Sequence, residues 1–367
     1  MSTNELQTAG DLYRSRKYRD AKSIYSQFLK DHPARSDIYG NIADCAGSAG
    51  EASEFSQAIQ AFVKAPKIAP RSVSRLMVVA AKLGDRSSYE LLVKAGDRLE
   101  KDVLYFCRHA TAERLFDNLP EARRLKEIAL RMNPDENQKV TLAEIDYDVS
   151  VYWEIRHKAQ QGRAVVSVAH QSDEAYAKRI AMEYDYIKSV FADAPGGQSP
   201  FKRIAEVGCG VGRITPLLKD MGRAIDCYDI SEAALSYARE NNKILKGVKY
   251  IQRNLASEML PASAYDLVFD NVAVQHISDP KEWSFALANY CQAVAPGGYL
   301  FLSEALAREE NKGVVHVRQA SRDDYKEAID DSMTLIFEGT APSGEATFVY
   351  RRNKDSRRTG KRKGARR

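Results

Sequence analysis

The sequence predicts an all-α helical-repeat domain over residues 1–140 and an α/β domain over residues 165–350. The first part contains amphipathic helical patterns, whereas the second alternates short apolar runs with helical patterns. That alternation predicts a parallel sheet flanked by helices. Near the end, two strand-like runs without a helix between them predict an antiparallel hairpin that closes the sheet.

Helices in the first domain are indicated by apolar residues spaced three and four apart. RDAKSIYSQFLKDHP carries one such stripe and stops at Pro33, and FSQAIQAFVKAP carries another and stops at Pro66. In NLPEARRLKEIALRMNP, Ala122 precedes Pro134 by the same distance that separates Ala21 from Pro33. This shared spacing resembles the tetratricopeptide repeat, a stacked helix pair. The resemblance implies a surface that docks a protein partner or a large substrate.

Residues 141–164 are predicted to connect the two domains, and residues 351–367 to form a basic tail. The 367-residue chain has a net charge of +5. Its last 17 residues hold ten Lys/Arg and one Asp, which leaves 45 basic and 49 acidic residues elsewhere. A block with so few apolar residues is predicted to be disordered, either as a solubilising tail or as a contact for an anionic partner.

Membrane, disulfide and metal functions are not indicated. The sequence has no run of 18 apolar residues and no signal-peptide pattern, so we predict a cytoplasmic protein without a membrane span. Its five cysteines are far apart and form no CxxC pair, which argues against a disulfide framework or a zinc site. The acidic stretch RDDYKEAIDD suits a helix start better than a cation site, and we expect no metal.

The strands of the α/β domain follow in order. RIAEV is the first strand, followed by three glycines and the helical pattern ITPLLKDMG, with Gly222 as its predicted C-cap. AIDCYDI is the second, and the helix SEAALSYARENNKIL follows with Ser231 as its N-cap. VKYIQ, YDLVFD and GYLFLSEA are further strands, with the helix PKEWSFALANYCQAV before the last. MTLIFEGTAPSGEATFVYRR forms the hairpin.

The three glycines point to a ligand. Gly208, Gly210 and Gly212 let the backbone turn tightly and approach a ligand without Cβ clashes, and for Gly212 the alternative is a role in helix–strand packing alone. In such sheets, ligands bind at the carboxyl ends of the strands, where strand order reverses. The glycines alone also fit nicotinamide or flavin cofactors. Asp229, at the end of the second strand, can accept hydrogen bonds from both ribose hydroxyls, whereas Asp226 lies too early.

Together with Glu206, Asp229, Asn254 and the closing hairpin, the glycine loop resembles the class I S-adenosylmethionine-dependent methyltransferases. YWEIRHKAQQG, SVAH, DNVAVQHISD and HVRQASRDDYKEA are similar to a bacterial-type branch that acts on small molecules or glycans. The resemblance implies a Rossmann-like fold and S-adenosyl-L-methionine as cofactor, with Asn254 at the adenine. The cofactor-binding residues that it implies are Glu206, Gly208, Cys209, Gly210, Asp229, Ile230, Asn254, Leu255, Asp270 and Asn271.

The resemblance implies methyl transfer, and we predict O-methylation of a small-molecule or glycan acceptor. His276 is the candidate general base for a hydroxyl acceptor, and His316 and Arg318 are candidate acceptor contacts; an amine or carboxylate acceptor needs no base. Tyr184 or Tyr186 could cap the cofactor. Two alternatives stay open: a protein or RNA methyltransferase recruited by the repeats and the tail, and a non-catalytic repeat scaffold.

Overall fold

The computed structural model of this protein describes residues 3–160, 172–192, 201–307 and 314–354. Contacts divide the chain into two units, Met1–Asp146 and Tyr147–Arg367. The SVAH stretch and residues 355–367 of the basic tail lie outside the described residues. No helix in the described ranges is long and apolar enough to cross a membrane.

The first unit is all-α. Over its described residues, 3–146, the helices are α1 (Thr3–Arg14), α2 (Tyr18–Asp31), α3 (Ile38–Ser48), α4 (Ala52–Phe62), α5 (Pro70–Lys82), α6 (Arg86–Gly96), α7 (Val103–Leu115), α8 (Leu119–Arg131) and α9 (Glu136–Ala143). The helix pairs α1/α2, α2/α3, α3/α4, α5/α6 and α7/α8 pack together, and α5 also packs against α3 and α7. Stacked helix pairs of this kind are the packing expected of helical repeats.

Small and aromatic side chains fill this unit. Ala21 of α2 and Ala122 of α8, the two residues matched in the sequence, are both completely buried. Phe55, Ile59 and Tyr89 belong to the largest apolar cluster of the unit. The all-α prediction is confirmed, whereas the tetratricopeptide resemblance stays a prediction.

The second unit alternates strands and helices. Its described elements are α10 (Val149–Ala159), α11 (Asp173–Ala192), β1 (Phe201–Val207), α12 (Thr215–Met221), β2 (Gly222–Asp229), α13 (Glu232–Asn241), β3 (Val248–Gln252), β4 (Tyr265–Asn271), a 3-10 turn (Val274–His276), α14 (Pro280–Ala293), β5 (Val294–Glu304), α15 (Arg322–Ala328), β6 (Met333–Thr340) and β7 (Ala346–Arg352).

These strands form one sheet in the order β3-β2-β1-β4-β5-β7-β6. The first five are parallel, and β7 pairs antiparallel with both β5 and β6. The predicted fold class, a Rossmann-like parallel sheet closed by an antiparallel hairpin, is therefore confirmed. Strand order reverses between β1 and β4, so the carboxyl ends of these two strands border a crevice.

Two local expectations differ from the structure. The segment 141–164, predicted as a connection, contains α10, which belongs to the second unit and is bonded to the start of α13 through Glu154. Gly222 follows α12 directly but has an extended backbone, with φ −140°, because it already begins β2. An added Cβ there would lie 2.5 Å from the Cδ1 of Ile204, so packing against β1 requires this glycine.

Candidate active site

A cavity of about 500 Å³ lies at the carboxyl ends of the central strands. Nine of the ten predicted cofactor residues line it: Glu206, Gly208, Cys209, Gly210, Asp229, Ile230, Asn254, Leu255 and Asn271. His276 and His316 line it as well, whereas Asp270 and Arg318 do not. We call the part lined by the glycine loop and by residues 229–230 and 254–255 the cofactor side. We call the part lined by Asn271 and by the mutually contacting rings of Trp153, His276 and His316 the acceptor side.

The glycine loop, residues 208–212, follows β1, and each of its three glycines is required for a different reason. Gly208, Gly210 and Gly212 all have positive φ, at 62°, 53° and 73°. A Cβ on Gly208 would lie 2.2 Å from that of Ala273, and one on Gly212 would lie 2.4 Å from Asn242 Nδ2. At Gly210, nothing lies within 4 Å of the added Cβ. Gly210 therefore faces open space in the cavity, while Gly208 and Gly212 are required by packing.

The Asp229 carboxylate fixes this loop. Its Oδ2 accepts a hydrogen bond from the Gly210 N–H at 2.7 Å, and its Oδ1 accepts one from the Ser231 N–H at 2.9 Å. Burial raises the pKa of Asp229, and the nearby His157 opposes that rise. Asp226 accepts hydrogen bonds from Arg203 and Tyr265 instead. This agrees with the expectation that Asp226 lies too far from the carboxyl end of β2 to reach a ligand there.

Glu206 is the other buried carboxyl of the cofactor side. Thr215 Oγ1 donates to its Oε2 at 2.7 Å, and Cys227 Sγ lies 3.4 Å from the same oxygen. Burial raises the pKa of Glu206 to about 7. A cationic ligand group beside Glu206 would stabilise the ionised carboxylate, which agrees with the place that the family resemblance gives to the methionine amino group.

Asn254 lines the cavity, but its side-chain oxygen has a partner within its own turn. Its Oδ1 accepts a hydrogen bond from the Ala256 N–H at 3.0 Å, and Glu258 Oε1 accepts one from the Asn254 N–H at 2.8 Å. An Asn that bonds the backbone two residues ahead is an Asx turn. The oxygen expected at the adenine therefore shapes the loop after β3.

Asp270, which the resemblance implies as a cofactor-binding residue, does not line the cavity. The reason is the pleat of β4, and its contact with the cofactor stays a prediction. Side chains alternate along a strand, and Phe269 and Asn271 line the cavity while Asp270 does not. The Asp270 carboxylate is fully buried and accepts hydrogen bonds from the N–H groups of Ala273 and Val274, at 2.9 and 3.1 Å.

Glu304, at the end of β5, holds the same loop. Its two oxygens accept hydrogen bonds from the N–H groups of Ala273 and Gln275, at 3.2 and 3.3 Å. Burial raises the pKa of Asp270 to about 6, and burial together with the charge of Asp270 raises the pKa of Glu304 well above its usual range. Because two buried like charges repel each other, we expect the pair to keep one shared proton near neutral pH.

Asp270 and Glu304 stabilise the loop that contains Val272, whose backbone conformation is strained. Val272 lines the cavity with φ at 64°, a conformation that is rare for a β-branched residue. Such strain costs on the order of 1–3 kcal/mol and persists only where the surroundings impose it. The hydrogen bonds to Asp270 and Glu304, and that of the Val272 N–H to the Ser303 carbonyl at 2.8 Å, impose it here.

His276 lies on the acceptor side as a neutral imidazole. Its Nδ1 donates to the backbone carbonyl of His316 at 2.6 Å, so its Nε2 carries the lone pair. Burial lowers the pKa of His276 to about 3. The rings of Trp153 and His276 meet edge to face, with centroids 4.6 Å apart.

Of the two predicted acceptor contacts, His316 lines the cavity and Arg318 does not. The His316 ring lines the cavity and stacks on Tyr152, with centroids 5.1 Å apart. Arg318 does not reach the cavity, since its guanidinium lies over Trp283 at 4.5 Å from the ring centroid. The structure therefore does not bring Arg318 to the cavity with His316, and its contact with the acceptor stays a prediction.

Tyr184 and Tyr186 do not cap the cavity. Tyr184 Oη donates to the Arg213 carbonyl at 2.7 Å, and both rings pack against the apolar cluster on one face of the sheet. Within the described residues, no group of three or more His, Cys, Asp and Glu could hold a metal ion.

Helix α10 supplies site residues that the sequence analysis missed. Trp153, Arg156 and His157 line the cavity from this helix. Glu154 fixes the helix, because its Oε2 accepts hydrogen bonds from Ser231 Oγ at 2.8 Å and from the Ala233 N–H at 3.2 Å. The spacing of Trp153, Arg156 and His157 in YWEIRHKAQQG (i, i+3, i+4) places them on one face of a helix, which could have indicated that they share a site.

The residues of the cofactor side fit the predicted cofactor. A carboxylate offers about four acceptor positions, and two of those on Asp229 are used by backbone N–H groups, which leaves room for ribose hydroxyls. The open space at Gly210 lies directly beside this carboxylate. A volume of about 500 Å³ is within the usual range for small-molecule and cofactor sites.

The fold and the site together define a class I methyltransferase domain. The family described as a methyltransferase domain matches residues 205–302. The prediction of a class I S-adenosylmethionine-dependent methyltransferase, with S-adenosyl-L-methionine as the cofactor, is thereby confirmed for this domain.

Curated relatives share only part of their length with this chain. The malonyl-[acyl-carrier protein] O-methyltransferase of Serratia marcescens is 24% identical over 145 residues, 40% of this chain and 54% of the relative. The enzyme of the same name from Hahella chejuensis is 35% identical, over 29% of this chain and 37% of its own. The mitochondrial ubiquinone biosynthesis O-methyltransferase of Schizosaccharomyces pombe is 27% identical, over 28% and 37%.

Solved structures are similar at low sequence identity. Phosphoethanolamine N-methyltransferase 1 of Haemonchus contortus is 14% identical with a TM-score of 0.48, and the match covers 62% of this chain and 52% of that one. The N-methyltransferase NodS of Bradyrhizobium japonicum, in complex with S-adenosylhomocysteine, is 14% identical with a TM-score of 0.43, covering 56% and 98%.

The glycine loop yields the first prediction. Gly210→Ala adds a methyl group to open space at a cost of about 1–2 kcal/mol for its left-handed backbone, so the variant should fold but bind S-adenosylhomocysteine at least about ten-fold more weakly. Gly208→Ala should lose more stability because of its contact with Ala273. Calorimetric titration and thermal unfolding measure both effects. If Gly210→Ala binds S-adenosylhomocysteine with wild-type affinity, the ligand does not occupy the open space beside Gly210.

The carboxyl pair yields the second prediction. A carboxyl group whose pKa is higher in the folded than in the unfolded protein stabilises the fold fully at pH values below its unfolded-state pKa. This stabilisation is lost as the pH rises through its folded-state pKa. As the pH rises from about 5 to 8, the free energy of unfolding should fall less steeply in Glu304→Gln than in wild type, because glutamine has no proton to lose. Urea unfolding at each pH measures this free energy. The exposed Glu240→Gln should keep the wild-type slope, and equal slopes in all three proteins would contradict a buried shared proton.

Proposed function

We propose that this chain is an S-adenosylmethionine-dependent O-methyltransferase that acts on a small-molecule or glycan acceptor. The observation that carries the proposal is one cavity with a cofactor side built around Gly210 and Asp229 and an acceptor side built around Asn271 and His276. The O-methyltransferase names of the curated relatives support the oxygen acceptor. A cytoplasmic location, and docking of a partner or large substrate by the repeats, belong to the same proposal.

The chain's own residues would act mainly by orientation. When bound, the cofactor supplies an electrophilic methyl group on a sulfonium. The loop of residues 271–276 is held rigid by Asp270 and Glu304, so it presents a fixed surface to the acceptor. Alignment of reacting groups can account for about 7–11 kcal/mol of a barrier.

His276 has a limited role in this proposal. Its Nε2 lone pair can accept a proton, but a pKa of about 3 makes the imidazole a weak base at neutral pH. The site therefore suits an acceptor that is already nucleophilic better than one that must be strongly deprotonated.

Calorimetric titration with S-adenosylmethionine tests the proposal. Wild type should bind with measurable heat, and Asp229→Ala should bind at least about ten-fold more weakly, because the ribose contact and the anchor of Gly210 are lost. The control Glu240→Gln removes an exposed carboxylate of α13 and should bind as wild type does. No heat with wild type, or unchanged affinity in a folded Asp229→Ala, would refute the cofactor site.

A further inference from the structure

A row of polar side chains crosses the all-α unit, with one member from the first helix of each helix pair. The row consists of Tyr13 from α1, Asp44 from α3, Arg75 from α5 and Arg108 from α7. Helix α5 packs against both α3 and α7, which brings side chains of successive pairs next to each other. Arg71 lies one turn before Arg75 on the same face of α5. Three arginines therefore meet on α5 and α7.

The acidic end of the row is neutralised within the unit. The Asp44 side chain is only 5% exposed, and Arg75 Nη1 lies 3.3 Å from its Oδ2. Burial raises the pKa of Asp44, and the charge of Arg75 and the hydroxyl of Tyr13 oppose that rise. The charge of Arg75 therefore mainly balances Asp44.

The basic end of the row is not balanced in the same way. Arg71 Nε lies 3.6 Å from Asp102 Oδ2, and Arg108 Nη1 donates to the backbone carbonyl of Arg71 at 3.0 Å. In the part of the chain that the structure describes, Arg108 forms no ion pair of its own. The three arginines thus share the two carboxylates Asp44 and Asp102, which leaves one surplus positive charge at Arg108.

This surplus charge is unfavourable at the position of Arg108. Its side chain is partly buried, and burial lowers its pKa. The charges of Arg75 and Arg71 lower that pKa further, and those of Asp102 and Asp44 oppose the shift without reversing it. An anion bound beside Arg108 would offset the repulsion among the three guanidinium groups.

We propose that Arg71, Arg75 and Arg108 bind a carboxylate of an acidic peptide segment in a partner protein. The Arg71 carbonyl takes up one of the five N–H donors of Arg108, so the others can bind a ligand. The Arg71 side chain is 76% exposed, and an exposed ion pair such as that with Asp102 contributes little. Arg71 can therefore turn toward a carboxylate, which arginines bind through paired, charge-assisted hydrogen bonds.

The charge of this arginine cluster favours a carboxylate over a phosphate. One surplus positive charge balances one carboxylate. A phosphate monoester carries about −1.5 to −2 charges at pH 7, so it would exceed the surplus and be repelled by Asp44 and Asp102.

The length of the row favours a peptide over a small acid. Beyond Asp44, the row ends at the hydroxyl groups of Tyr13 and Ser48, which lie 3.4 Å apart. Packed helices lie about 8–10 Å apart, so only an extended ligand could contact both α1 and α7. This inference gives a chemistry to the docking by the repeats that belongs to the proposed function, and it does not depend on the methyltransferase cavity.

The test uses the full chain and a fluorescent peptide that alternates serine with three glutamates. A control peptide has glutamine in place of each glutamate, and fluorescence anisotropy measures both affinities. We expect the glutamate peptide to bind at least about ten-fold more tightly than the glutamine peptide. At equal ionic strength, inorganic phosphate should displace the glutamate peptide no better than acetate does.

Variants locate the bound carboxylate. Arg108→Gln and Arg71→Gln should each weaken binding of the glutamate peptide about ten-fold or more. Arg108→Gln should not lower the thermal unfolding temperature, because it removes the surplus charge, whereas a merely structural role of Arg108 predicts a loss of stability. Arg131→Gln removes an exposed positive charge at the end of α8 and should bind the peptide as wild type does.

Three results would overturn the inference: a glutamate peptide that binds no better than the glutamine peptide, stronger displacement by phosphate than by acetate, or wild-type affinity in both arginine variants. The last result would assign the peptide to another basic region, such as the tail. Calorimetry with S-adenosylhomocysteine on the same samples separates the two proposals. If wild type does not bind it, the proposed function fails; if it binds, a failed peptide experiment counts against this inference alone.

Discussion

The buried carboxylate of Asp229 is the contact on which the cofactor side depends. It joins the glycine loop after β1 to the start of α13 after β2, through hydrogen bonds to Gly210 and Ser231. A buried carboxylate is costly unless it is hydrogen-bonded, and these two bonds offset part of that cost. Glu154 of α10 bonds the same helix start at Ser231, so the helix that carries Trp153 is positioned from the same point.

The acceptor side repeats this arrangement with a second set of buried carboxyl groups. Asp270 and Glu304 together accept hydrogen bonds from three successive N–H groups of the loop after β4. They keep Val272 in a left-handed conformation that it would not adopt alone. Both sides of the cavity are thus formed by loops that side chains at strand ends hold in place, which is the rigidity that an orienting catalyst needs.

Much of this could be predicted from the sequence because strand ends of a parallel sheet meet at one edge. That rule brought Glu206, Gly210 and Asp229 together correctly. It did not give the direction of the Asp270 side chain, because the last residues of β4 alternate between the two faces and the sequence does not show which residue faces the crevice. The side chain of Arg318 could not be oriented from the sequence because a loop residue has no period, and in the structure it stacks on Trp283.

The α10 residues were missed for another reason. They precede the first strand of the fold, and no strand or glycine signal ties them to the crevice. Contacts between residues distant in sequence place Trp153 and Arg156 in the site. They include the hydrogen bonds of Glu154 to Ser231 and Ala233 and the ring contacts of α10 with His276 and His316.

The most direct test of the central claim is a crystal structure of the full chain with S-adenosylhomocysteine. We expect both ribose hydroxyls within about 2.5–3.0 Å of the Asp229 carboxylate, the ligand backbone over Gly210, and the sulfur directed toward Asn271 and His276. A ribose bound away from Asp229, or a ligand bound outside this cavity, would contradict the account.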